Sequence, residues 1–114
     1  MNCQERMKVT IIIPVYNISK YIERCIDSVI RQTYKGIECI IVDDASQDDS
    51  IIKCERIISS YKGPIKFSIL HHSQNRGLSA ARNTGTASAS GDYLYYLDGD
   101  DELTPMCIET LITS

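Results

Sequence analysis

The stretch that decides the fold is Val9-Thr10-Ile11-Ile12-Ile13, a short run of β-branched residues. A run of this kind, without polar alternation, is typical of a strand that a parallel sheet buries on both faces. Pro14 follows directly and is expected to end the strand, and Tyr16 and Asn17 are expected to begin a loop.

Helix-like and strand-like segments alternate after this strand. Apolar residues from Ile22 to Ile30 recur at helical spacing, and Ser19 is the expected N-cap. The later segments are, in order, a strand at 38–42, a helix capped by Asp48, Asp49 or Ser50, a strand at 66–70 nearer a sheet edge, a helix of small residues at 78–88, a strand at 92–97, and a helix opened by Thr104 and Pro105. Such alternation over short connections indicates βαβ units, so the sequence predicts an α/β domain with a mostly parallel sheet.

Length and charge restrict the classes of protein. The chain has 114 residues, enough for one small domain, with 43% hydrophobic and 24% charged residues, as in ordinary globular proteins. Twelve basic and fifteen acidic residues give a net charge of −3. This balance argues against a nucleic-acid partner, which requires a basic patch.

The cysteines and the first residues of the chain bear on the cellular location of the protein. The five cysteines form no C-x-x-C pair, and several fall in apolar periodic segments; they are Cys3, Cys25, Cys39, Cys54 and Cys107. We therefore expect neither a zinc site nor a disulfide framework, but reduced thiols in a cytoplasmic setting. Residues 1–6 are polar and carry no signal-peptide pattern, and no apolar run approaches the roughly 18 residues of a membrane span.

A polar cluster follows each of the four predicted strands. These clusters are Tyr16-Asn17, Asp43-Asp44, Asn75-Arg76-Gly77 and Asp98-Gly99-Asp100-Asp101. In open parallel sheets, ligands bind in the crevice beyond the carboxyl ends of the strands. We therefore expect the four clusters to meet at one edge and to form the binding site.

The last cluster is the strongest chemical signal. Asp98 and Asp100 are two positions apart, so an extended chain presents both on one face, and Gly99 between them permits a bend or a close ligand. Hard divalent cations such as Mg²⁺ or Mn²⁺ prefer carboxylate oxygens, and Mg²⁺ is usually shared with substrate phosphates. The cluster is therefore either a metal site for a phosphorylated ligand or a solvated acidic turn.

The other clusters have two interpretations each. The chain contains neither G-x-G-x-x-G nor a P-loop, so phosphate binding would rest on a metal with Arg76 or Arg82, although these arginines equally suit salt bridges with the aspartates. Asp43 and Asp44 suit ribose hydroxyls or a base N–H, or else cap the turn at 45–48. Tyr16 suits stacking on a base.

His71 and His72 are adjacent at a strand end and are expected to point in opposite ways, so a shared metal or base role is not expected.

Five segments of the chain, in order, resemble the family 2 glycosyltransferases. They lie at residues 9–17, 28–34, 38–48, 75–85 and 91–101. The resemblance covers about residues 8 to 106, and it implies a glycosyltransferase A-type fold, with a Rossmann-like three-layer α/β/α arrangement. It also implies an inverting transferase that moves a sugar from a nucleotide-diphosphate donor, commonly UDP-linked, to an acceptor hydroxyl on a glycan or lipid-linked molecule.

The resemblance also implies roles for individual residues. Pro14, Val15, Tyr16 and Asn17 would line the base and ribose site, Asp44 would hydrogen-bond the base with Asp43 beside it, and Arg76, Gly77 and Arg82 would lie near the diphosphate or ribose. Asp98-Gly99-Asp100 takes the place of the family's DxD motif, in which Asp100 would bind Mn²⁺ or Mg²⁺ and Asp98 would contact the ribose or the metal shell.

The general base is expected downstream of Ser114, because in the family it belongs to the acceptor half. We therefore expect residues 1–114 to be the donor domain, the amino-terminal half of a longer enzyme that works in the cytoplasm or at the inner face of a membrane. Alternatives are a nucleotide-sugar binding or assembly module and a nucleotidyltransferase, which would need a glycine- and lysine-rich loop in place of residues 13–17.

An exposed sheet edge would permit self-association.

Overall fold

The predicted order of strands and helices is confirmed. The structure, a computed structural model, describes residues 7–113, so the predictions on residues 1–6, Cys3 among them, and on Ser114 lie outside the described residues. The elements are β1 Val9–Val15, α1 Ser19–Ile30, β2 Ile37–Asp43, α2 Ser50–Ser60, β3 Lys66–His71, α3 Leu78–Ser88, β4 Tyr93–Tyr96 and α4 Cys107–Thr113. Helix α3 has the bounds expected from its small residues.

The sheet has four strands in the order β3-β2-β1-β4, and all of its pairings are parallel. β3 is an edge strand, as its more alternating sequence indicated. β2 and then β3 lie on one side of β1, and β4 lies on the other side, where Ile12 pairs with Tyr96. This reversal of strand order creates a crevice between the carboxyl ends of β1 and β4, the place where open α/β sheets bind ligands.

Two predicted boundaries are wrong by one or two residues. Pro14 does not end β1, because the strand continues to Val15, whose carbonyl still accepts the backbone N–H of Asp44 at 2.9 Å. Proline costs the ladder one donor but keeps an extended backbone. Likewise, Thr104 and Pro105 do not open α4: the Thr104 carbonyl accepts the N–H of Cys107 in a turn, and the helix begins at Cys107.

The start of α1 also differs from the expectation. Ser19 is the first helical residue rather than the N-cap, and Ile18 takes that position without a side-chain cap. The backbone N–H of Ser19 instead donates to a carboxylate oxygen of Asp48 at 3.1 Å, from the loop before α2. A distant carboxylate therefore satisfies one of the donors that a helix start leaves open.

The helices cover both faces of the sheet, which confirms the three-layer arrangement. Residues of α1, α2 and α4 pack with Ile11 and Ile13 on one face, whereas Ala81 of α3 packs with Ile12 on the other. A Cβ on Gly85 would lie 2.5 Å from Cγ2 of Ile12, so glycine lets α3 approach β1 closely. In the described part of the chain, no helix is both long and apolar enough to cross a membrane.

The described cysteines are free, as expected. Cys25, Cys39 and Cys54 are buried, and Cys107 is partly buried. Burial, followed by the nearby thiol of Cys54 and the carboxylates of residues 98, 100 and 101, raises the pKa of Cys25 to about 12. A thiol with such a pKa carries almost no thiolate at neutral pH, so Cys25 acts as a small apolar side chain.

Candidate functional site

A cavity of about 460 Å³ opens where the carboxyl ends of β1 and β4 diverge. Its walls come from the ends of β1 and β4, from the loops after all four strands and from the start of α3. The lining residues are Pro14, Val15, Tyr16, Ile18, Asp44, Asn75, Gly77, Leu78, Ala81, Asp98, Gly99 and Asp100. This volume lies within the range of small-molecule pockets, and the cavity occupies the crevice that the strand order creates.

Three carboxylates form an acidic corner of the cavity, where Asp98 and Asp100 line the wall and Asp101 lies next to them. Asp98, Asp100 and Asp101 each offer an oxygen, and these atoms all lie within 4.8 Å of one another. Asp100 and Asp101 are exposed, and no hydrogen bond or ion pair engages their carboxylates among residues 7–113. Clustered carboxylate oxygens next to a pocket are the donor set that Mg²⁺ or Mn²⁺ prefers, so these residues fit a hard divalent cation.

Arg82 of α3 pairs with one of these carboxylates. Its guanidinium lies 3.0 Å from Oδ1 of Asp98 and 5.8 Å from the ring centroid of Tyr96. The salt-bridge interpretation of Arg82 therefore describes this structure, although the pair is partly exposed at the mouth of the site. Asp98 consequently has a counter-ion within the protein, which leaves Asp100 as the carboxylate more available to a metal.

Glycine at position 99 allows two loops to touch. A Cβ there would lie 1.9 Å from Cδ1 of Ile18 and 3.3 Å from the carbonyl oxygen of Pro14. The Sγ of Cys25 lies 3.8 Å from the carbonyl oxygen of Asp98 and supports the same loop from below. The acidic loop is thus held against the loop after β1, the opposite wall of the cavity.

Asp44 lies at the buried side of the cavity with both carboxylate oxygens engaged. Oδ1 accepts the backbone N–H of Arg76 at 2.8 Å, and Oδ2 accepts that of Gly77 at 2.9 Å and the amide of Asn75 at 3.0 Å. Nδ1 of His72 lies 2.8 Å from Oδ1 as a fourth partner. Burial raises the pKa of Asp44, but the hydrogen bonds from His72 and from the two backbone N–H groups lower it below its usual value.

Asp43 and Asn17 stabilise the turn at 45–48 and do not line the cavity. Oδ1 of Asp43 accepts the backbone N–H of Ser46 at 2.8 Å, which supports the capping interpretation for this residue. Oδ1 of Asn17 accepts the N–H of Gln47 at 2.8 Å, and its φ of 51° is in the left-handed region that asparagine tolerates. Asn17 therefore joins the loop after β1 to the loop after β2, and Asp43 stabilises the second of these loops.

Tyr16 lines the cavity, whereas Arg76 does not. Tyr16 is 44% exposed, so part of its ring is accessible for stacking. Arg76 is exposed and contributes its backbone N–H to Asp44, whereas its guanidinium has no ion pair among the described residues. Its side chain is therefore exposed and unpaired within the described part of the chain, but it is not one of the residues that line the cavity.

Sequence reasoning missed the role of His72. His71 and His72 do face different partners, Asp43 and Asp44 respectively, as expected from adjacent residues. The side chain of His72, however, is 4% exposed and connects Asp44 to the hydroxyl of Thr84. The strand register carried the signal, because Leu70 pairs with Val42 and two further residues bring His72 beside Asp44.

A parallel sheet with clustered carboxylates at the reversal of strand order is typical of α/β proteins that hold phosphorylated ligands with a divalent cation. Residues 10–114 match the family model described as glycosyl transferase family 2. The chain therefore belongs to glycosyltransferase family 2. The match confirms the resemblance found in the five sequence segments.

Known relatives and structures agree with this family. Glycosyltransferase GlyA of Streptococcus pneumoniae is 44% identical over 105 residues, which are 91% of this chain and 14% of GlyA. S. aureus TarS 1-349, in complex with UDP-GlcNAc, has a TM-score of 0.82 and 26% identity, over 94% of this chain and 30% of TarS 1-349. Mannosyltransferase PcManGT from Pyrobaculum calidifontis, in complex with GDP-Man and Mn²⁺, has a TM-score of 0.83 and 27% identity, over 93% of this chain and 30% of PcManGT.

These likenesses confirm the glycosyltransferase A-type α/β fold. The chain spans between 14% and 30% of the length of these three proteins.

Proposed function

We propose that this chain forms the donor-binding domain of an inverting glycosyltransferase, which moves a sugar from a UDP-linked donor to an acceptor hydroxyl. The observation that carries the proposal is the acidic corner of the cavity, where three carboxylates converge at the reversal of strand order. The complexes of TarS with UDP-GlcNAc and of PcManGT with GDP-Man and Mn²⁺ support a nucleotide sugar as the ligand.

Asp100 and Asp98 are the proposed ligands of a divalent cation, Mn²⁺ or Mg²⁺. Asp100 is the primary ligand, because its carboxylate is exposed at the cavity and unpaired among the described residues, whereas Asp98 already faces Arg82. A cation bound there would neutralise the negative charge that grows on the departing diphosphate, without a proton transfer. Arg82 and Arg76 add positive charge on the side of the cavity that α3 forms.

The remaining wall of the cavity is the proposed base and ribose site. Tyr16 presents a ring face for stacking, and Pro14 and Val15 form the apolar floor beside it. Asp44 is a proposed contact of the base. Since both of its oxygens already accept hydrogen bonds, we propose that it acts mainly by holding residues 75–77 at the cavity, with Asp43 and Asn17 supporting the neighbouring turn.

We assign no general base within this chain. The proton of the attacking hydroxyl requires a carboxylate positioned at the acceptor, and the aspartates of the cavity are all on the donor side. The acceptor half of the enzyme is the proposed source of that group and of the contacts to a glycan or lipid-linked acceptor. Free, buried cysteines favour a cytoplasmic location, which cell fractionation would test.

Calorimetry with UDP, with and without Mn²⁺, tests the function. We expect Mn²⁺ to strengthen UDP binding by at least about tenfold, because a cation held by Asp100 and Asp98 would offset the repulsion between these carboxylates and the phosphates. A titration with GDP under the same conditions tests the choice of base. Equal UDP affinity with and without the metal would contradict the metal-bridged donor site. Binding without sugar transfer in the longest natural form of the protein would favour a nucleotide-sugar binding module.

The outer edge of β4 is a proposed site of self-association. β4 pairs with β1 alone among the described strands, and Tyr93, Leu94 and Tyr96 on it are between 43% and 48% exposed. An unpaired apolar edge promotes strand pairing between chains. We expect light scattering to show dimers at high protein concentration, and we expect Leu94→Lys to reduce their amount. Ile52→Lys is the control, because Ile52 is an exposed residue of α2. A wild-type protein that stays monomeric throughout would contradict this proposal.

A further inference from the structure

His72 is a buried imidazole with a polar partner on each nitrogen. Its side chain is 4% exposed, Nδ1 lies 2.8 Å from Oδ1 of Asp44, and Nε2 lies 2.7 Å from Oγ1 of Thr84 on α3. An ionised carboxylate only accepts hydrogen bonds, so Nδ1 must carry a proton and donate a hydrogen bond to Asp44. The ring thus connects the end of β2 to the middle of α3.

The partner of His72 controls the wall of the cavity. Asp44 accepts the backbone N–H groups of Arg76 and Gly77, and Gly77 is the N-cap of α3 with a φ of 96° and no side-chain cap of its own. The carboxylate of Asp44 therefore holds the N-cap residue of α3 and the residue before it from across the fold. Any displacement of this carboxylate would move residues 75–77, of which Asn75 and Gly77 line the cavity.

We propose that His72 is a positioning residue of the donor site: its Nδ1–H fixes Asp44, Asp44 fixes residues 75–77, and this wall sets the affinity for the nucleotide diphosphate. The last step rests on the proposed function, whereas the first two concern the protein alone. His72 itself does not line the cavity, and its side chain is 4% exposed. Its influence on binding therefore passes through Asp44.

Two conservative substitutions separate the two contacts of the ring. The amide nitrogen of asparagine occupies the same position along the side chain as Nδ1 of histidine. His72→Asn therefore retains a donor toward Asp44 and loses the hydrogen bond with Thr84. The amide nitrogen of glutamine occupies a position close to that of Nε2. His72→Gln therefore retains a donor toward Thr84 and loses the hydrogen bond with Asp44. Each variant removes one of the two hydrogen bonds of the ring, so a difference between the variants shows which contact holds the wall of the cavity.

Hydrogen exchange is the readout that needs no ligand. We expect the peptide covering residues 74–78 to exchange at least about tenfold faster in His72→Gln and to stay near the wild-type rate in His72→Asn, because protection of these amides depends on Asp44. His71→Gln is the control, since His71 is exposed and faces Asp43. Affinity for UDP with Mn²⁺ should follow the same order, about tenfold weaker in His72→Gln and within about threefold in His72→Asn.

The outcomes distinguish this inference from the proposed function. Equal exchange in the glutamine and asparagine variants would overturn the role of His72, whether or not UDP binds. If glutamine prevents folding, faster exchange in a folded asparagine variant would still overturn it, because that variant keeps the donor toward Asp44. If exchange follows the expected order and the wild-type protein does not bind UDP, the proposed function is wrong and the positioning of the wall by His72 stands.

Discussion

The Asp100→Asn variant is expected to lose the Mn²⁺-dependent part of its UDP affinity. The amide keeps the shape of the side chain but removes its charge and one oxygen ligand, and hard cations bind carboxylate oxygens in preference. Loss of groups that only support metal ligands lowers metal affinity by about 10- to 100-fold, so loss of a direct ligand should cost at least as much. Calorimetry with UDP and Mn²⁺ measures the loss, and paramagnetic resonance of free Mn²⁺ measures metal binding directly.

A matched control removes the same charge elsewhere. Asp27→Asn lies on the exposed face of α1, where the carboxylate pairs with Arg31 at 3.0 Å, and it should leave UDP and Mn²⁺ binding unchanged. Asp98→Asn should weaken metal binding less than Asp100→Asn, because Asp98 also serves Arg82. Full Mn²⁺ affinity in the Asp100→Asn protein would exclude Asp100 as a metal ligand.

The Asp44→Ala variant is expected to show the largest loss of stability. Alanine would leave the backbone N–H groups of Arg76 and Gly77, the amide of Asn75 and the ring of His72 without their shared acceptor. Hydrogen bonds to a charged acceptor contribute about 1.5–3 kcal/mol each, and a buried donor without a partner costs about 1–3 kcal/mol. Since Asn75 and Arg76 are exposed and can turn to water, we expect the free energy of unfolding to fall by about 2–4 kcal/mol in urea denaturation.

The neighbouring aspartate is the control for this stability effect. Asp43→Ala removes a carboxylate that accepts the N–H of Ser46 and faces the exposed His71, so we expect a loss of only about 1 kcal/mol. Similar losses in the two variants would show that the hydrogen bonds around Asp44 contribute no more to the free energy of unfolding than the single bond at Asp43. A small loss in Asp44→Ala alone would show that water satisfies the donors that Asp44 leaves.

The contribution of Asp44 also has a defined pH dependence. Burial raises its pKa, but the hydrogen bonds from His72, Arg76 and Gly77 lower it more, so the folded pKa lies below the ordinary value. A carboxyl group of this kind stabilises the fold above its unfolded pKa of about 3.9, and that stabilisation disappears as the pH falls through the folded pKa. The stability difference between wild type and Asp44→Ala should therefore be constant near neutral pH and shrink below about pH 4.

Local patterns in the sequence were sufficient for most of the fold. The β-branched run of β1 and the small residues of α3 predict their elements because burial on both faces and close packing against β1 each leave a local signature. The boundaries at Pro14 and Thr104 were wrong because a strand end or helix start depends on which distant donors and acceptors are available.

The sequence by itself determined that polar residues follow each parallel strand, and therefore that the site lies at the carboxyl edge of the sheet. Only the tertiary structure decided how the chemistry is divided among them. Arg82 faces Asp98, Asp43 caps a turn, Asp44 is occupied by residues 75–77, and Asp100 remains unpaired within the described chain. The physical reason is that residue type specifies what a group can bond, whereas burial and strand register determine which of its partners, distant in sequence, it meets.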